Sequence, residues 1–420
     1  MHIIIFEDNF VPFLYPVTIG RAAFSISVGS LRLLNLVHEL KGELELIVRP
    51  HLKEIIHLDI PNIWTAQQGK RKGPVLAINA RTVPDANMVA IWKKLLSSEM
   101  PNCIYRNGTE IIAARLDDAS VLPDQDIGSA QLLGLIDDLK LQDIPVPKSV
   151  ALLNHPSDII RHHLRVFNNN IEYRIKNGDY LEIKEGVFIP RETNNPPKIG
   201  EFFVSDCRNG PIIIESGVDI GPFCFIRGPV YIGPKSKVIE HAAIKDDVAV
   251  SSICKIGGEV EASVVEPYTN KQHHGFLGHS YLGSWVNLGA GTCNSDLKNS
   301  YNEVCMESPL GKHRSGMQFL GCVIGDYSKT AINTSLFTGK TIGACSMNYG
   351  FVTTAVPSFV NYARSFGQIT EIPVEVMVAT QARMFARRNV DQRLCDSQLL
   401  YDMYELTRHE RQLASEPLSL

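Results

Sequence analysis

The sequence predicts an α/β Rossmann-like unit, then a left-handed parallel β-helix built from hexapeptide repeats, then a C-terminal helical tail. Three observations carry this. Apolar strands alternate with helix-like segments before about residue 150, a six-residue clock of Ile and Val runs from about 212 to 350, and a polar helix-forming stretch follows 365. The expected division is 1–165, 166–365 and 366–420.

In the first part, HIIIF, ELELIV and VLAIN read as strands. SLRLLNLVHEL and DANMVAIWKKLL carry helical periodicity, so the order is βαβ-like. The boundary is expected near NHPSDIIRHHLRVF. Stepping by six from Ile214 then gives Ile220, Ile226, Ile232, Val238, Ile244, Val250 and Ile256. The column two residues earlier holds only small or medium side chains: Val218, Cys224, Val230, Ser236, Ala242, Val248, Cys254 and Val260. One β-branched and one small inward position per hexad suits short flat strands joined at tight corners, three hexads to a turn of a triangular prism. The clock resumes at Leu282 and Leu288 and again at Ile324, Thr330, Leu336 and Ile342. From 256 to 282 is two more than a multiple of six, which suggests an insertion or bulge. NSDLKNSYNEVCMESPLGKHRSGMQ reads as an excursion loop or hairpin.

The 420-residue chain is 44% hydrophobic and 20% charged with a formal charge of −4, enough for two cores and without a broad reason to bind nucleic acid or an anionic membrane. Its nine cysteines are never spaced C-x-x-C, which argues against a disulfide framework or zinc knuckle. MHIIIFEDNF lacks a basic signal-type region and no segment is apolar enough to span a membrane, so the expected address is cytoplasmic.

Arg227 and Lys245 each follow an inward position and stand three hexads apart, so they should stack in adjacent turns about 4.8 Å apart. An anion such as a sugar phosphate would relieve their repulsion; otherwise both reach independently into water. In EPYTNKQHHGFLGHSYLG, His273, His274 and His279 leave three readings open: metal ligands, one general base with two bystanders, or a polar loop. The flanks offer mainly Gly, Asn and Lys, which is thin support for a metal. Arg383, Arg387 and Arg388 in the tail read as a solvated face or as an anion clamp.

NKQHHGFLGHSYLGSWVNLGAGTCNSDLKN, together with GPFCFIRGPVYIG and CKIGGEVEASVV, resembles the acetyltransferase half of the bifunctional N-acetylglucosamine-1-phosphate uridyltransferase/glucosamine-1-phosphate acetyltransferase family, especially a divergent bacterial branch. The resemblance covers about 200–357. It implies a phosphate-binding Arg227, an acceptor-site Lys245 and a catalytic base at His273, with His274 and His279 as loop polarity or supporting groups. It places Phe276 where the family has a substrate-contacting tyrosine, Asn287 on an acceptor-site asparagine, and Asp296 where another asparagine is usual. Gly350 falls near the backbone used along the coenzyme A groove. Acetyl-CoA as co-substrate, an amino-sugar phosphate as acceptor, a homotrimer and no metal for this half are what the resemblance implies.

The N-terminal part departs from related nucleotidyltransferases. No glycine occurs between Phe6 and Gly20 to cradle a triphosphate, and Asn79 and Arg81 stand where a metal-binding aspartate is expected. A Leu-x-Pro-x-Thr-x-x-Arg element shared with the divergent branch is matched by Leu14, Pro16, Thr18 and Arg21. Thr18, Arg21, Asn79 and Arg81 are thus candidates for a site taking UTP or another NTP, with Mg2+ only if the domain is active. Nucleotidyl transfer as the main activity, and a non-catalytic trimeric scaffold that binds sugar nucleotides, are the alternatives to acetyl transfer.

Overall fold

The computed structural model describes residues 1–97, 100–308 and 311–414. The chain forms two compact units: Met1–Leu14, Arg21–Ile26 and Leu31–Asn154 make the first, and Tyr15–Gly20, Ser27–Ser30 and His155–Leu420 make the second.

The first unit holds strands β1 (His2–Phe6), β2 (Glu43–Ile47), β3 (Val75–Asn79), β4 (Cys103–Asn107), β5 (Glu110–Leu116) and β6 (Gln142–Asp143). Its helices are α1 (Leu33–His38), α2 (Lys53–Asp59), α3 (Met88–Leu95) and α4 (Ser129–Asp138). One sheet results, in the order β2-β1-β3-β5-β4-β6. β1 pairs in parallel with both β2 and β3, whereas β5 runs antiparallel to its two neighbours. All five residues of β1 are buried, which is why HIIIF is apolar without alternation. Because the chain leaves β1 towards one side and β3 towards the other, the carboxyl ends of these two strands form a topological switch point, where open α/β sheets ordinarily receive ligands.

The second unit is the predicted left-handed β-helix. Its first face stacks Val204–Asp206, Phe225–Arg227, Ala243–Lys245, Glu259–Glu261 and Phe276–Gly278. The second face includes Ile212–Ile214, Val230–Ile232, Val248–Val250, Val264–Val265, Tyr281–Leu282 and Cys322–Ile324; the third stacks Lys198–Ile199, Asp219–Ile220, Lys237–Val238, Lys255–Ile256 and Asn270–Lys271. Every residue of the Ile214–Ile256 clock is buried in one continuous core, and so are Leu282, Leu288, Ile324, Leu336 and Ile342. The long excursion is an antiparallel hairpin of Cys305–Ser308 and Gly311–Arg314, with residues 309–310 outside the described residues.

The register slip has the opposite sign to the predicted insertion. Ile226 pairs Ile244 at the regular spacing, but Ile244 pairs Val260, and Ile256 pairs Lys271, so this turn is two to three residues short. A surplus of two and a deficit of four are the same remainder in a six-residue clock. Two of the four are lost at the Gly257–Gly258 corner, where Ile256 to Val260 spans four residues; one more is lost between Val260 and Val265 and one between Leu277 and Leu282. A Cβ on Gly257 would lie 2.2 Å from the Gln272 carbonyl oxygen, and Gly258 adopts a left-handed φ of 67° with the Lys271 ammonium against it.

Helix α5 (Pro156–Asn177) lays Phe167 and Ile171 on Ile213, Tyr231 and Ala249, which project outward from the second face. The expected boundary at 165 falls inside this helix; its apolar face belongs to the prism, so the division lies at Asn154/His155. The tail forms α6 (Val374–Ala386), α7 (Leu394–Leu406) and α8 (Arg408–Ala414), and residues 415–420 of the expected extension lie outside the described residues. Far from being wholly superficial, α6 buries Met377, Gln381 and Phe385. Ser27 also joins the second unit, donating its backbone N–H and hydroxyl to the buried Glu266 carboxylate at 2.9 and 3.1 Å. Among the described residues no helix is long and apolar enough to cross a membrane.

Candidate active site

Arg227 and Lys245 are register partners at the carboxyl ends of adjacent strands, as their spacing requires. Each already has a carboxylate. Arg227 donates its Nε to Asp246 at 2.9 Å, and Lys245 pairs with Glu259 and, at 3.9 Å, with Glu261. Their repulsion is thus relieved by side chains of the same face, and Asp246 holds the Arg227 guanidinium above its ordinary range.

The next two strands extend this row. Lys245 pairs Glu261 and Glu261 pairs Gly278, so the residue after Gly278, His279, lies at the same strand ends as the two cations. The His279 backbone N–H donates to the Glu261 carbonyl at 3.1 Å. Its Nδ1 lies 2.8 Å from Asp296 Oδ2, its ring stacks on Phe319 at 5.3 Å, and both members of the pair are mostly but not wholly enclosed, at 15% and 14% side-chain exposure. A carboxylate on Nδ1 fixes the tautomer that leaves Nε2 as an acceptor, which is the geometry of an oriented general base. Nε2 makes no hydrogen bond to a described residue. Gly278 is obligatory beside it: an added Cβ would lie 2.3 Å from Asp296 Oδ2 and 2.4 Å from the Phe276 ring. Asp247 adds a titratable carboxyl here. Burial, reinforced by Asp246 and opposed by His279, pushes it up to about 6.

His273 stands elsewhere. It precedes the strand Phe276–Gly278, at the corner between the third and first faces, is exposed, and shares a 3.0 Å contact with the Gln272 side chain. With Asn287 it lines a cavity of about 360 Å³ whose other walls include Lys255, Trp285, Lys329, Arg387 and Arg388. Asn287 accepts from Asn270 Nδ2 at 3.2 Å in that wall. The expected site residues therefore divide: Arg227, Lys245, Phe276 and Asp296 share the first face with His279, whereas His273 and Asn287 share the cavity. Gly350 belongs to neither. It has a left-handed φ of 68° and a Cβ there would meet Ser365 Oγ at 2.2 Å, which accounts for glycine without a ligand. Among the described residues no group of three or more His, Cys, Asp and Glu side chains is arranged to hold a metal ion.

The loop carrying His273 is fastened by a residue that the clock does not reveal. Lys271 occupies an inward position one turn after Ile256, is 2% exposed, and donates its Nζ to the carbonyls of Gly257, His273 and Gly275 at 2.9, 2.8 and 2.7 Å. Those three acceptors satisfy an ammonium that would otherwise be costly to bury, though burial still pulls it down to about 8.

Residues 3–177 match the sugar nucleotidyl transferase family. Over 145 residues the chain is 32% identical to the bifunctional protein GlmU of Synechococcus elongatus, which is 33% of this chain and 28% of that one. Over about a third of its length the chain is similar to bifunctional GlmU proteins. It is also 31% identical over 161 residues to GlmU of Methanococcus vannielii, covering 37% of this chain and 38% of that one. To the bifunctional sugar-1-phosphate nucleotidylyltransferase/acetyltransferase of Sulfurisphaera tokodaii it is 32% identical over 142 residues, covering 33% and 35%. The chain thus spans little more than a third of the length of these relatives at most. A solved structure of AntD, an N-acyltransferase from Bacillus cereus in complex with dTDP-4-amino-4,6-dideoxyglucose and coenzyme A, matches at 13% identity and a TM-score of 0.22, over 50% of this chain and 99% of that one.

In the first unit, the switch point is filled by protein. Arg81 clasps Asp8 with Nε and Nη2 at 2.8 and 2.7 Å, reaches Glu110 at 2.5 Å, and also donates to Asn154 and the Leu153 carbonyl. Asn79 donates to Asp8 at 2.8 Å and accepts from the Arg81 backbone at 2.9 Å. Although burial works against the charge, Asp8 and Glu110 hold the Arg81 guanidinium up. Asn79 and Arg81 here, and Thr18 in the second unit, are each 0% exposed, so they are packed inside the protein rather than presented to a nucleotide. The implied Mg2+ does not fit: both Asp8 oxygens already receive a buried guanidinium, which would repel a divalent cation at the same carboxylate. The cavity of this unit, about 680 Å³, lies instead at the ends of β1 and β2 and includes Glu7, Asp8, Arg49, Lys53, Trp64 and Asp126. Glu7 accepts from Arg49 and from the Ala23 N–H, and Arg49 reaches the Arg21 carbonyl at 2.8 Å, so Arg21 contributes main chain to the edge of this arrangement.

Proposed function

We propose that the prism is an acetyltransferase that moves the acetyl group of acetyl-CoA to the amine of an amino-sugar 1-phosphate. The observation that supports this best is the His279–Asp296 pair at the same strand ends as Arg227 and Lys245. In the attack, the neutral amine bonds to the thioester carbonyl carbon, His279 Nε2 takes the amine proton, and collapse breaks the carbon–sulfur bond. The coenzyme A thiolate then receives that proton, and Asp296 steadies the imidazolium in between. The alternation of Arg227, Asp246, Lys245, Glu259 and Glu261 suits an acceptor that carries both a phosphate and an ammonium group, since each of its charges meets an opposite one. Phe276, beside Asp296, offers an apolar ring to the sugar face rather than a hydroxyl.

The family resemblance supports His273 as the base instead, and His273 then acts without an orienting carboxylate. In a homotrimer, which we propose from the same resemblance, the corner bearing His273 would face a neighbouring prism. Sedimentation of the full chain as a monomer would remove that arrangement.

The 680 Å³ cavity of the first unit favours a second binding role, for a sugar nucleotide, without a metal-assisted transfer step. The two activities separate in one pair of assays. Thiol release from acetyl-CoA is expected with glucosamine 1-phosphate, weakly with glucosamine, and not with glucose 1-phosphate. Pyrophosphate release from UTP with Mg2+ is expected to stay at background. Thiol release that ignores the amine would overturn acetyl transfer, and Mg2+-dependent pyrophosphate release would overturn the reading of the first unit.

A further inference from the structure

The 360 Å³ cavity between the third face and α6 carries four cationic side chains, Lys255, Lys329, Arg387 and Arg388, and among the described residues no carboxylate lines it. None of the four forms an ion pair with a described residue. Arg388 donates to the neutral Asn270 Oδ1 at 2.6 Å, and the Lys329 ammonium is 2.7 Å from the Met384 sulfur, a weak acceptor. Burial pulls Lys329 down to about 8. Burial, then Arg388, Lys237 and Arg387, pull Lys255 down as well. His273 and Tyr268 are the remaining titratable groups in the wall, and neither is a carboxylic acid.

The walls hold the cations where they are. Trp285 is stacked on Tyr268 at 4.2 Å and packed by Phe385 of α6 at 4.5 Å, so the end of α6 that bears Arg387 and Arg388 is docked on the prism. Like charges assembled in a partly desolvated space are unfavourable unless an anion shares them, and two arginine forks with two lysines match several phosphate oxygens together. A volume at the low end of small-molecule sites favours a compact ligand. Elsewhere in the same prism Arg227 and Lys245 have carboxylate partners, so the absence of them here is local.

We propose that this cavity is a binding site for a compact polyphosphate group, of the diphosphate kind found in nucleotides and in coenzyme A, and that Arg387 and Arg388, just past the C-terminal end of helix α6, supply half of its charge. Inorganic pyrophosphate is the probe, titrated calorimetrically into the full chain. Wild type is expected to bind it more tightly than sulfate, and more weakly as salt rises. R388Q and, separately, K255Q are each expected to weaken binding tenfold or more, whereas R383Q, which alters an arginine of the same helix outside the cavity, should stay within twofold. Thermal melts show that each variant is folded, and K255Q on the prism serves if the helix variant is not. No binding by wild type, equal affinity for sulfate, or an equal loss in R383Q would overturn the proposal. Competition of bound pyrophosphate by UDP and by coenzyme A identifies which source of diphosphate the pocket prefers. This binding readout is independent of thiol release, so it can fail while acetyl transfer stands, and the reverse.

Discussion

The two cation clusters of the prism are built from the same residue types and treated in opposite ways. On the first face, Arg227 and Lys245 are each answered by a carboxylate on, or one residue beyond, the adjacent strand, beside a histidine held by Asp296. In the cavity, Lys255, Lys329, Arg387 and Arg388 are answered, among the described residues, only by an amide oxygen and a thioether. A compensated row can bind a ligand with charges of both signs and position it for chemistry. An uncompensated cluster waits for a counter-charge. Arg81 in the first unit is a third case, a buried cation so fully answered that it serves architecture alone.

Removing the answered cations should therefore cost stability, whereas removing the unanswered ones should not. The largest effect is expected for R81M, which strands Asp8 and Glu110 in the interior: a loss of about 3–5 kcal/mol, read as a lowered urea midpoint for the first unit. An unchanged midpoint would mean that the ion network is dispensable. K271M should cost about 2–4 kcal/mol, because three carbonyls around the His273 loop lose a charged donor, and faster hydrogen exchange should be confined to 272–275 and the Gly257–Gly258 corner. By contrast K329M should leave the melting temperature equal or higher, since it removes a buried, repelled charge.

Asp247 gives the pH dependence. Its folded-state value of about 6 lies above the ordinary carboxyl range, so between about pH 4 and 6 the folded protein binds the extra proton. Stability from this group therefore falls as pH rises through that window, and above pH 6 the full cost is present. D247N should accordingly gain on wild type by about 1–3 kcal/mol at pH 7 and by nearly nothing at pH 4. Melts at the two pH values check the sign, and a variant that gains more at pH 4 would contradict it.

Much of this was legible in advance where a period repeated. The Ile/Val clock fixed the prism and the Arg227–Lys245 stack, because each inward position must fill the same narrow core. The sign of the slip was not legible, since a remainder modulo six does not distinguish a gained pair from four lost residues. Lys271 was hidden for the same reason: it holds an inward place in a turn of altered length, and a lysine there breaks the pattern that would have found it. His279 and Asp296 are 17 residues apart, the length of a turn just there, as Glu259 pairing Phe276 shows, so the dyad becomes readable only after the register is known. In the first unit, β1 and β3 pair Phe6 with Asn79, which places Asp8 opposite Arg81 two residues on. That meeting was available from strand order, but strand order was not available from the sequence.

The claim that chemistry sits on the compensated first face is tested most directly by steady-state thiol release from acetyl-CoA with glucosamine 1-phosphate, comparing H279A, D296N and H273A. H279A is expected to lose about 10²–10⁴ in kcat, D296N to lose at least tenfold in kcat at little changed KM, and H273A to stay within about fivefold of wild type. Collapse of H273A with H279A near wild type would contradict the account and return the base to the exposed corner.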